Sequence, residues 1–386
     1  MITRVSGELR RRIKESPRLR RQALRVLSRR DVVDARLLNR VAGSRLLTRA
    51  YYATVRTSFA DEQHRVARGR RRYMERIGSD PRPRLRRNVH RLEKGLVMRP
   101  RRWPFALGYL KEVIDDLECV LRAGPGDSLD DDIEVRWAFE VLDEYWRCGE
   151  PANDEHRRLC ERYSSLRTRW AVAPCAGAAP NIPSFRPFAP SDSPPPVSYD
   201  QLLQLQLRRR SVRHFAPDLV DPEVIERAVT LGSLAPSACN RVAYRFLLLR
   251  GPDAARVAAL AGGTGGYAQN IPNLLVVLGD HSAYANERDR HNPYIDASLA
   301  VMGLLQALES LGLASCCINW PEVPHREFAI RRTLRCIQPF ESVIMLVAVG
   351  VPAPGRMVPG SPKKPAEHLL QEVVLSSEES REVPRR

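Results

Sequence analysis

The segment from 174 to 196 constrains the fold most, because eight of its 23 residues are proline. Proline fixes the backbone angle φ and has no amide donor, so this segment can neither form a helix nor pair as a central strand. We interpret it as an extended linker, or as a strap that lies over a surface. It divides the 386 residues into a helical module over 1–172, a linker over 173–198, a second domain over 199–370 and a polar tail over 371–386.

The composition restricts the class of protein. No uncharged apolar run of about 18 residues is present, so no transmembrane helix is predicted. Residues 1–12 are basic but lack the apolar stretch and cleavage site of a secretory signal, and we therefore expect a cytoplasmic protein. The eight cysteines lack the paired short spacings of zinc or dithiol redox sites, so no metal site is predicted. The adjacent Cys316 and Cys317 lie in an apolar run, which indicates a buried strand.

Positive charge is concentrated in the first 100 residues, which hold 29 Lys and Arg against 9 Asp and Glu. The other 286 residues hold 33 and 36. Such an asymmetry indicates an anionic partner for the N-terminal module, which would be a nucleic acid, an anionic membrane surface or an acidic protein. Because 27 of the 29 cations are arginine, a bias in genome composition explains the excess equally well.

Helical periodicity dominates the first 170 residues. Apolar residues at helical spacing predict amphipathic helices within 1–52, and again over 107–122 and 133–146. The stretch from 53 to 80 is polar, and Pro81 and Pro83 interrupt the chain after it. We therefore predict an all-helical basic N-terminal module.

The second domain mixes strands with helices. Short apolar runs between breaker residues predict strands over 244–249, 274–278, 315–319 and 343–349. Asp221 and Pro222 predict the start of a helix that reaches residue 231, and further helices are predicted over 201–208, 254–260, 295–311 and 325–334. This alternation indicates two or three layers, with the apolar helix over 295–311 either central or part of a dimer contact.

Three short segments have the composition of ligand-binding sites. The segment 208–213, RRRSVR, combines four cations with a hydroxyl, which suits the oxygens of a phosphate but is also found in solvated basic turns. Lys363 and Lys364, before Pro365, would complete such a phosphate pocket or belong to a charged tail. Asn240, in a loop of small residues, offers a donor and an acceptor to the edge of a flat heterocycle, or occupies an ordinary turn.

In this order, the segments resemble the FMN-dependent nitroreductase family over about 170 residues. The resemblance rests on RRRSVRHF, LAPSACNRVAYRFLLL, YIDASLAVMGLLQALESLGLAS, VIMLVAVGVP and SPKKP. It implies an α+β fold with a nitroreductase-like sheet flanked by helices, a homodimer, and FMN bound between the subunits. The glycine-rich AGGTGG over 261–266 is not the G-x-G-x-x-G fingerprint of a dinucleotide-binding fold, in agreement with this family.

The resemblance also implies roles for single residues. Arg209 and Ser211, together with the adjacent Arg210, match contacts to the flavin phosphate and ribityl chain. Arg213 matches a cation near the N1 and O2 edge of the flavin, where it would stabilise the negative charge of the reduced ring. Asn240 matches the residue that binds the pyrimidine edge.

The other residues of the pattern include one further match to the family and two departures from it. Lys363 or Lys364 matches the C-terminal phosphate cation, but the residues after Asn240 differ from the Gln-Pro-Trp common in the family. The position beside flavin N5 falls on Asn319 or Trp320. The Trp320 ring would stack on a substrate and narrow the pocket, or it would lie in the core.

A second resemblance lies in the helical module. The sequence NVHRLEKGLVMRPRRWPFALGYL, over 88–110, is similar to an N-terminal extension found in a subset of nitroreductase-like proteins. His90, Glu93 and Lys94 share one side of the predicted helix. They form either an acid–base or anion-binding cluster, or an ordinary paired surface.

The leading functional hypothesis is an FMN-dependent oxidoreductase. A reductant such as NAD(P)H would deliver hydride to the flavin, and a small-molecule or biosynthetic substrate would then take the electrons. The lack of a convincing catalytic triad or carboxylate pair agrees with such a site, because the cofactor carries the chemistry. Two alternatives stay open: a dehydrogenase that runs the half-reactions in reverse, and a polyanion-binding scaffold with a vestigial flavin domain.

Overall fold

A computed structural model describes residues 36–56, 59–123, 132–170, 185–189 and 193–374, together with Ser16 and Asp34. Most of the amphipathic helices predicted within 1–52, most of the proline-rich linker and the tail beyond residue 374 lie outside the described residues. Across the described ranges, no helix has both the length and the apolar character needed to cross a membrane.

Helices follow one another through the N-terminal part of the chain. They are α1 (Arg45–Thr54), α2 (Ala60–Arg76), α3 (Arg82–Val97), α4 (Leu110–Ala123), α5 (Ile133–Trp146) and α6 (Asp154–Arg169). The Asp132 carboxylate begins α5 by accepting hydrogen bonds from the amides of Glu134 and Val135, at 3.1 and 3.2 Å. Apolar residues of α3 to α6, including Leu92, Ile114 and others, pack into one buried core. The predicted helical module is thus confirmed over the described residues.

Arginines of this module bind acidic residues on neighbouring helices. Arg84 of α3 binds Asp116 of α4 through two hydrogen bonds of 2.8 and 2.6 Å. Arg162 of α6 lies 2.9 Å from Asp115 of α4. Such forked contacts fix the relative positions of helices more firmly than a lysine contact would. Part of the N-terminal positive charge therefore has a structural use.

The C-terminal domain is built on a four-stranded antiparallel sheet in the order β1-β2-β4-β3. Its strands are β1 (Tyr244–Arg250), β2 (Asn273–Asp280), β3 (Ala314–Asn319) and β4 (Glu341–Gly350). Its helices are α7 (Tyr199–Arg208), α8 (Pro222–Ser233), α9 (Pro252–Ala258), α10 (Asn292–Ser310) and α11 (Pro324–Thr333). Asp221 caps α8 as predicted, since its side chain accepts from the amide of Glu223 at 3.0 Å.

The sheet lies between two apolar layers, which confirms the α+β fold class. Along β2, Leu274, Val276 and Leu278 pack with α9 and α11, whereas Leu275 and Val277 pack with α8 and α10. This alternation follows from the two-residue period of a strand and explains why β2 is apolar on both faces from Leu274 to Leu278. The adjacent cysteines of β3 follow the same rule: Cys316 is buried, and Cys317 is exposed.

Helix α2 packs on the C-terminal domain, although the sequence indicated only a polar stretch there. Gly69, in the middle of α2, lies directly against His281, which follows β2. A Cβ atom at residue 69 would be 2.6 Å from the His281 Cβ and 2.8 Å from its carbonyl oxygen. Only glycine permits this close approach of the two backbones.

A buried polar network accompanies this contact. Arg65 of α2 is only 5% exposed, and it binds Glu322 and donates from Nε to the Ser342 hydroxyl at 3.1 Å. The same hydroxyl lies 2.9 Å from Nε2 of His281. Burial lowers the pKa of His281 to about 4, so this ring is neutral at neutral pH. Helix α2 is therefore fastened to the sheet domain by buried, hydrogen-bonded groups.

We expect Gly69→Ala to lower the melting temperature. Alanine gains about 1 kcal/mol over glycine in a helix interior, but forcing a methyl group into a filled contact costs about 1–3 kcal/mol and would move α2 off His281. Gly108→Ala is the matched control, because a Cβ there would meet nothing within 4 Å. Thermal unfolding of both variants tests this; a melting temperature for Gly69→Ala at or above that of the wild type would contradict the close contact.

Candidate functional site

The predicted phosphate-binding segment runs along the edge of the sheet. Ser211 forms a parallel bridge with Ser315 of β3, and the amide of Val212 donates to the Ser315 carbonyl at 3.0 Å. Phe215 then pairs with Pro352, which follows β4. These contacts fix the backbone of 209–213, so its polar side chains have defined starting positions beside β3.

The cations of this segment are not neutralised by carboxylates. Among the described residues, no Asp or Glu forms an ion pair with Arg209, Arg210 or Arg213, whereas the adjacent Arg208 lies 2.9 Å from Glu309. The Arg213 guanidinium lies 5.9 Å from the centre of the Tyr267 ring. Arg210 and Arg213 donate to the backbone carbonyls of Arg209 and Ser211. Guanidinium groups that have no carboxylate partner and lie next to a serine hydroxyl are suited to an anionic ligand.

The other predicted residues on β3 face in different directions. Asn319, the last residue of the strand, is exposed like Cys317 two residues before it, so both lie on the same open face. Trp320 is only 4% exposed, and its indole Nε1 donates to Glu327 at 2.6 Å. Its ring therefore lies in the core, which is one of the two alternatives stated for it.

Lys363 and Lys364 are exposed on the chain that follows β4. No hydrogen bond or ion pair joins either lysine to the segment 209–213 within the described ranges. Residues 357 to 374 of this C-terminal arm are all exposed, including Met357 at 95% and Leu370 at 78%.

The loop that carries Asn240 has an unusual backbone. Cys239, Asn240 and Val242 have φ angles of 54°, 51° and 51°, a region that side chains other than glycine seldom adopt. Such a conformation persists only where its surroundings enforce it. The side chain of Asn240 is exposed, and no described residue forms a hydrogen bond with it.

Two anchors hold this loop. On one side, the buried Asp296 carboxylate at the start of α10 accepts from the amide of Ala238 at 3.1 Å and from the Tyr284 hydroxyl at 3.0 Å. Burial raises the pKa of Asp296. On the other side, Arg86 of α3 donates from Nε to the Asn240 carbonyl at 2.7 Å. The loop is thus fixed by both halves of the chain.

A pocket of about 490 Å³ opens where α3 meets this loop. His90, Glu93, Lys94, Trp137 and Asn240 all line it. Within it, Glu93 accepts from the Trp137 indole at 2.8 Å and lies 3.0 Å from Nδ1 of His90. The structure therefore brings His90, Glu93 and Lys94 of α3 together with Asn240 in one pocket. The sequence analysis had treated the α3 residues and Asn240 as separate sites.

Sequence reasoning missed several members of this pocket. Trp137 lies on α5, and Phe185 lies in the described part of the proline-rich segment. Neither has a local pattern that distinguishes it from a core residue, because each joins α3 only through the tertiary fold. The aromatic residues near 185–188 were the one signal available in the linker.

The predicted phosphate-binding segment 209–213, called the phosphate-type segment below, and the Asn240 loop lie far apart in one chain. In the sheet order, β1 and β3 are the two edge strands. Asn240 leads into β1, which begins level with Ser342, whereas Ser211 bridges Ser315, which pairs with Val349 at the other end of β4. Three strand spacings of about 4.8 Å and seven residues of about 3.4 Å separate these corners, which are therefore roughly 28 Å apart.

Comparison with known protein families gives a match within the C-terminal domain. The profile of the Nitroreductase family matches residues 207–264 and 266–351, which confirms the resemblance inferred from the sequence. No curated protein matches the chain.

Several solved structures are similar to this part of the chain. A proposed nitroreductase of Desulfovibrio desulfuricans, solved in complex with FMN, is 25% identical and covers 46% of this chain and 100% of its own, at a TM-score of 0.39. A proposed NADH dehydrogenase/NAD(P)H nitroreductase of Parabacteroides distasonis is 25% identical, with coverage of 45% and 99% and a TM-score of 0.40. An FMN-dependent nitroreductase of Clostridium difficile is 21% identical, with coverage of 40% and 90% and a TM-score of 0.35. Each alignment spans less than half of this chain.

We expect Arg86→Met to loosen the Asn240 loop. The substitution removes a charged hydrogen bond worth about 1.5–3 kcal/mol while it keeps an apolar stem of similar length. Amide hydrogen exchange should therefore become faster over 238–242. Arg87→Met is the control, because no described residue forms a hydrogen bond or ion pair with the Arg87 side chain. Equal exchange over 238–242 in the two variants would show that α3 does not hold the loop.

Proposed function

We propose that this chain, whose residues 207–351 form a nitroreductase-family domain, is an FMN-dependent oxidoreductase. It transfers electrons from a reductant such as NAD(P)H to a small-molecule substrate. The observation that carries the proposal is the row of guanidinium groups beside β3 that have no carboxylate partner among the described residues. Such a row is suited to the phosphate of a mononucleotide.

The donors present fit this cofactor. Arg209 and Ser211 would bind the phosphate and ribityl chain, with Arg210 adding positive charge. Arg213 would lie at the N1 and O2 edge, and its position over Tyr267 limits the freedom of its side chain. Lys363 or Lys364 would add a further phosphate contact from the C-terminal arm.

In this arrangement, FMN and the protein side chains contribute different parts of the chemistry. When bound, FMN supplies the hydride acceptor and donor chemistry that no side chain provides. Arg213 stabilises negative charge at the ring edge, which favours the reduced state. Asn240, on its fixed loop, orients the ring through donor and acceptor contacts. Asn319 lies on the open face of β3, where it would be close to the reacting edge.

We also propose that the working unit is a homodimer with a shared flavin site. The phosphate-type segment and Asn240 occupy opposite corners of one sheet, so a second copy is needed to bring an Asn240 to each phosphate site. The exposed side of α10 supports this arrangement, because Ile295, Leu299 and Met302 recur at helical spacing and are 54%, 44% and 39% exposed. A second copy would also cover the apolar residues of the C-terminal arm.

Purified protein should be yellow, and Arg209→Ala or Ser211→Ala should lose most of the flavin. A charged hydrogen bond to a phosphate contributes about 1.5–3 kcal/mol, so the Kd for FMN should rise at least about tenfold. Arg208→Ala is the matched control, because that arginine already binds Glu309. Flavin absorbance and FMN titration measure the effect. A colourless wild-type protein that ignores added FMN would refute the proposal, and anaerobic bleaching by NADH or NADPH would separate a reductase from a substrate-driven dehydrogenase.

The shared site predicts complementation between two defective copies. Arg209→Ala and Asn240→Asp should each lower flavin content alone, and aspartate tolerates the backbone of Asn240. A dimer that contains one copy of each keeps one intact site, so doubly tagged dimers from co-expression should bind one flavin per two chains.

The control for complementation places both substitutions on one copy and pairs it with the wild type. That dimer has no intact site and should bind flavin poorly, although it carries the same set of side chains. If both mixed dimers hold the same amount of flavin, or if the purified chain is monomeric, the shared site is wrong.

A further inference from the structure

The pocket between α3 and the Asn240 loop shares Asn240 with the flavin site proposed above, but its other lining residues have no part in binding FMN there. From its lining, we infer that it binds the substrate of the enzyme, and that this substrate is a flat apolar molecule with one anionic group, a carboxylate or a phosphate. The inference rests on the proposed function only for the chemistry that follows binding. A volume of about 490 Å³ is in the range of small-molecule sites.

The walls of the pocket are suited to an apolar ring. Val97 and Ile133 line it together with the aromatic residues Trp137, Phe185 and Phe188. Phe188 is 84% exposed, so its ring has little protein packed around it. A flat ligand that covers such a surface gains from burial and from ring stacking.

The charges of the pocket favour an anion, because three cationic residues, Arg86, Lys94 and Arg186, line it. Of these, Lys94 is the residue to which we assign the anion. Lys94 has no hydrogen-bond or ion-pair partner among the described residues, although Glu93 is its neighbour in sequence. Both oxygens of Glu93 are already engaged, one by His90 and the other by the Trp137 indole. Among the described residues, the one carboxylate that lines the pocket is thus held in place, and the Lys94 ammonium group is left to bind a ligand.

Arg86, in contrast, already has partners within the walls of the pocket. Its guanidinium binds Glu134 at 2.9 Å as well as the Asn240 carbonyl at 2.7 Å, and it lies 5.4 Å from the centre of the Trp137 ring. These contacts fix the part of the wall where α3, α5 and the Asn240 loop meet. A ligand held by Lys94 and the aromatic residues would therefore lie next to Asn240, which is the residue assigned to the flavin edge.

The test compares binding of 2-naphthoate with binding of its neutral amide, 2-naphthamide, to the full-length protein by isothermal titration calorimetry. We expect naphthoate to bind about tenfold more tightly than the amide, because one charged hydrogen bond is gained. Lys94→Gln should abolish this preference, and Lys94→Arg should keep it. Lys111→Gln, which removes a surface lysine paired with Asp115, should change nothing.

Flavin absorbance, recorded on the same samples, separates this inference from the proposed function. A yellow protein that binds both probes equally, or neither, overturns the pocket assignment alone. A colourless protein that ignores added FMN but shows the Lys94-dependent preference supports the pocket and refutes the FMN proposal. If Lys94→Gln keeps its flavin and its preference for naphthoate, the anion-binding role of Lys94 is wrong.

Discussion

A buried arginine joins the two halves of this protein. The Arg65 side chain is almost completely buried, and its charge is compensated by Glu322 and by the Ser342 hydroxyl of the sheet domain. Breaking such a contact leaves an uncompensated buried charge, which costs several kcal/mol. Helix α2 is therefore held on the sheet, and α3, which follows it after a short turn, is held over the Asn240 loop. The pocket and the geometry of that loop both depend on this attachment.

The arginine excess of the N-terminal module is partly explained by structural contacts of the same kind. Many of its described arginines bind acidic residues on other helices, as Arg84 does with Asp116, and others bind the sheet domain. These contacts account for part of the charge asymmetry without an external partner. The basic segment before residue 36 lies outside the described residues, and binding of a polyanion by it stays a prediction.

The sequence predicted the elements with a strong local signal and missed those defined by tertiary contacts. All four strands were placed within two or three residues, because their apolar runs are bounded by breakers. Helix α2 was missed because its buried positions include Arg65 and Gly69, which do not form an apolar pattern. In the candidate site, the cations near β3 were recognisable as a motif. The placement of His90 and Asn240 in one pocket was not, since it depends on how α3 docks on a loop about 150 residues away in sequence.

The contact between α3 and the Asn240 loop affects how the substrate selectivity of this protein can evolve. The groups proposed to bind the cofactor lie on the sheet and its edge, whereas the pocket wall comes mainly from helices that precede the proline-rich segment. A substitution at a pocket-lining position of α3 or α5 other than Arg86, which holds the Asn240 loop, would therefore alter which molecule is accepted and leave the proposed flavin contacts in place. The helical half would then determine which substrate is accepted, and the sheet domain would carry the electron transfer.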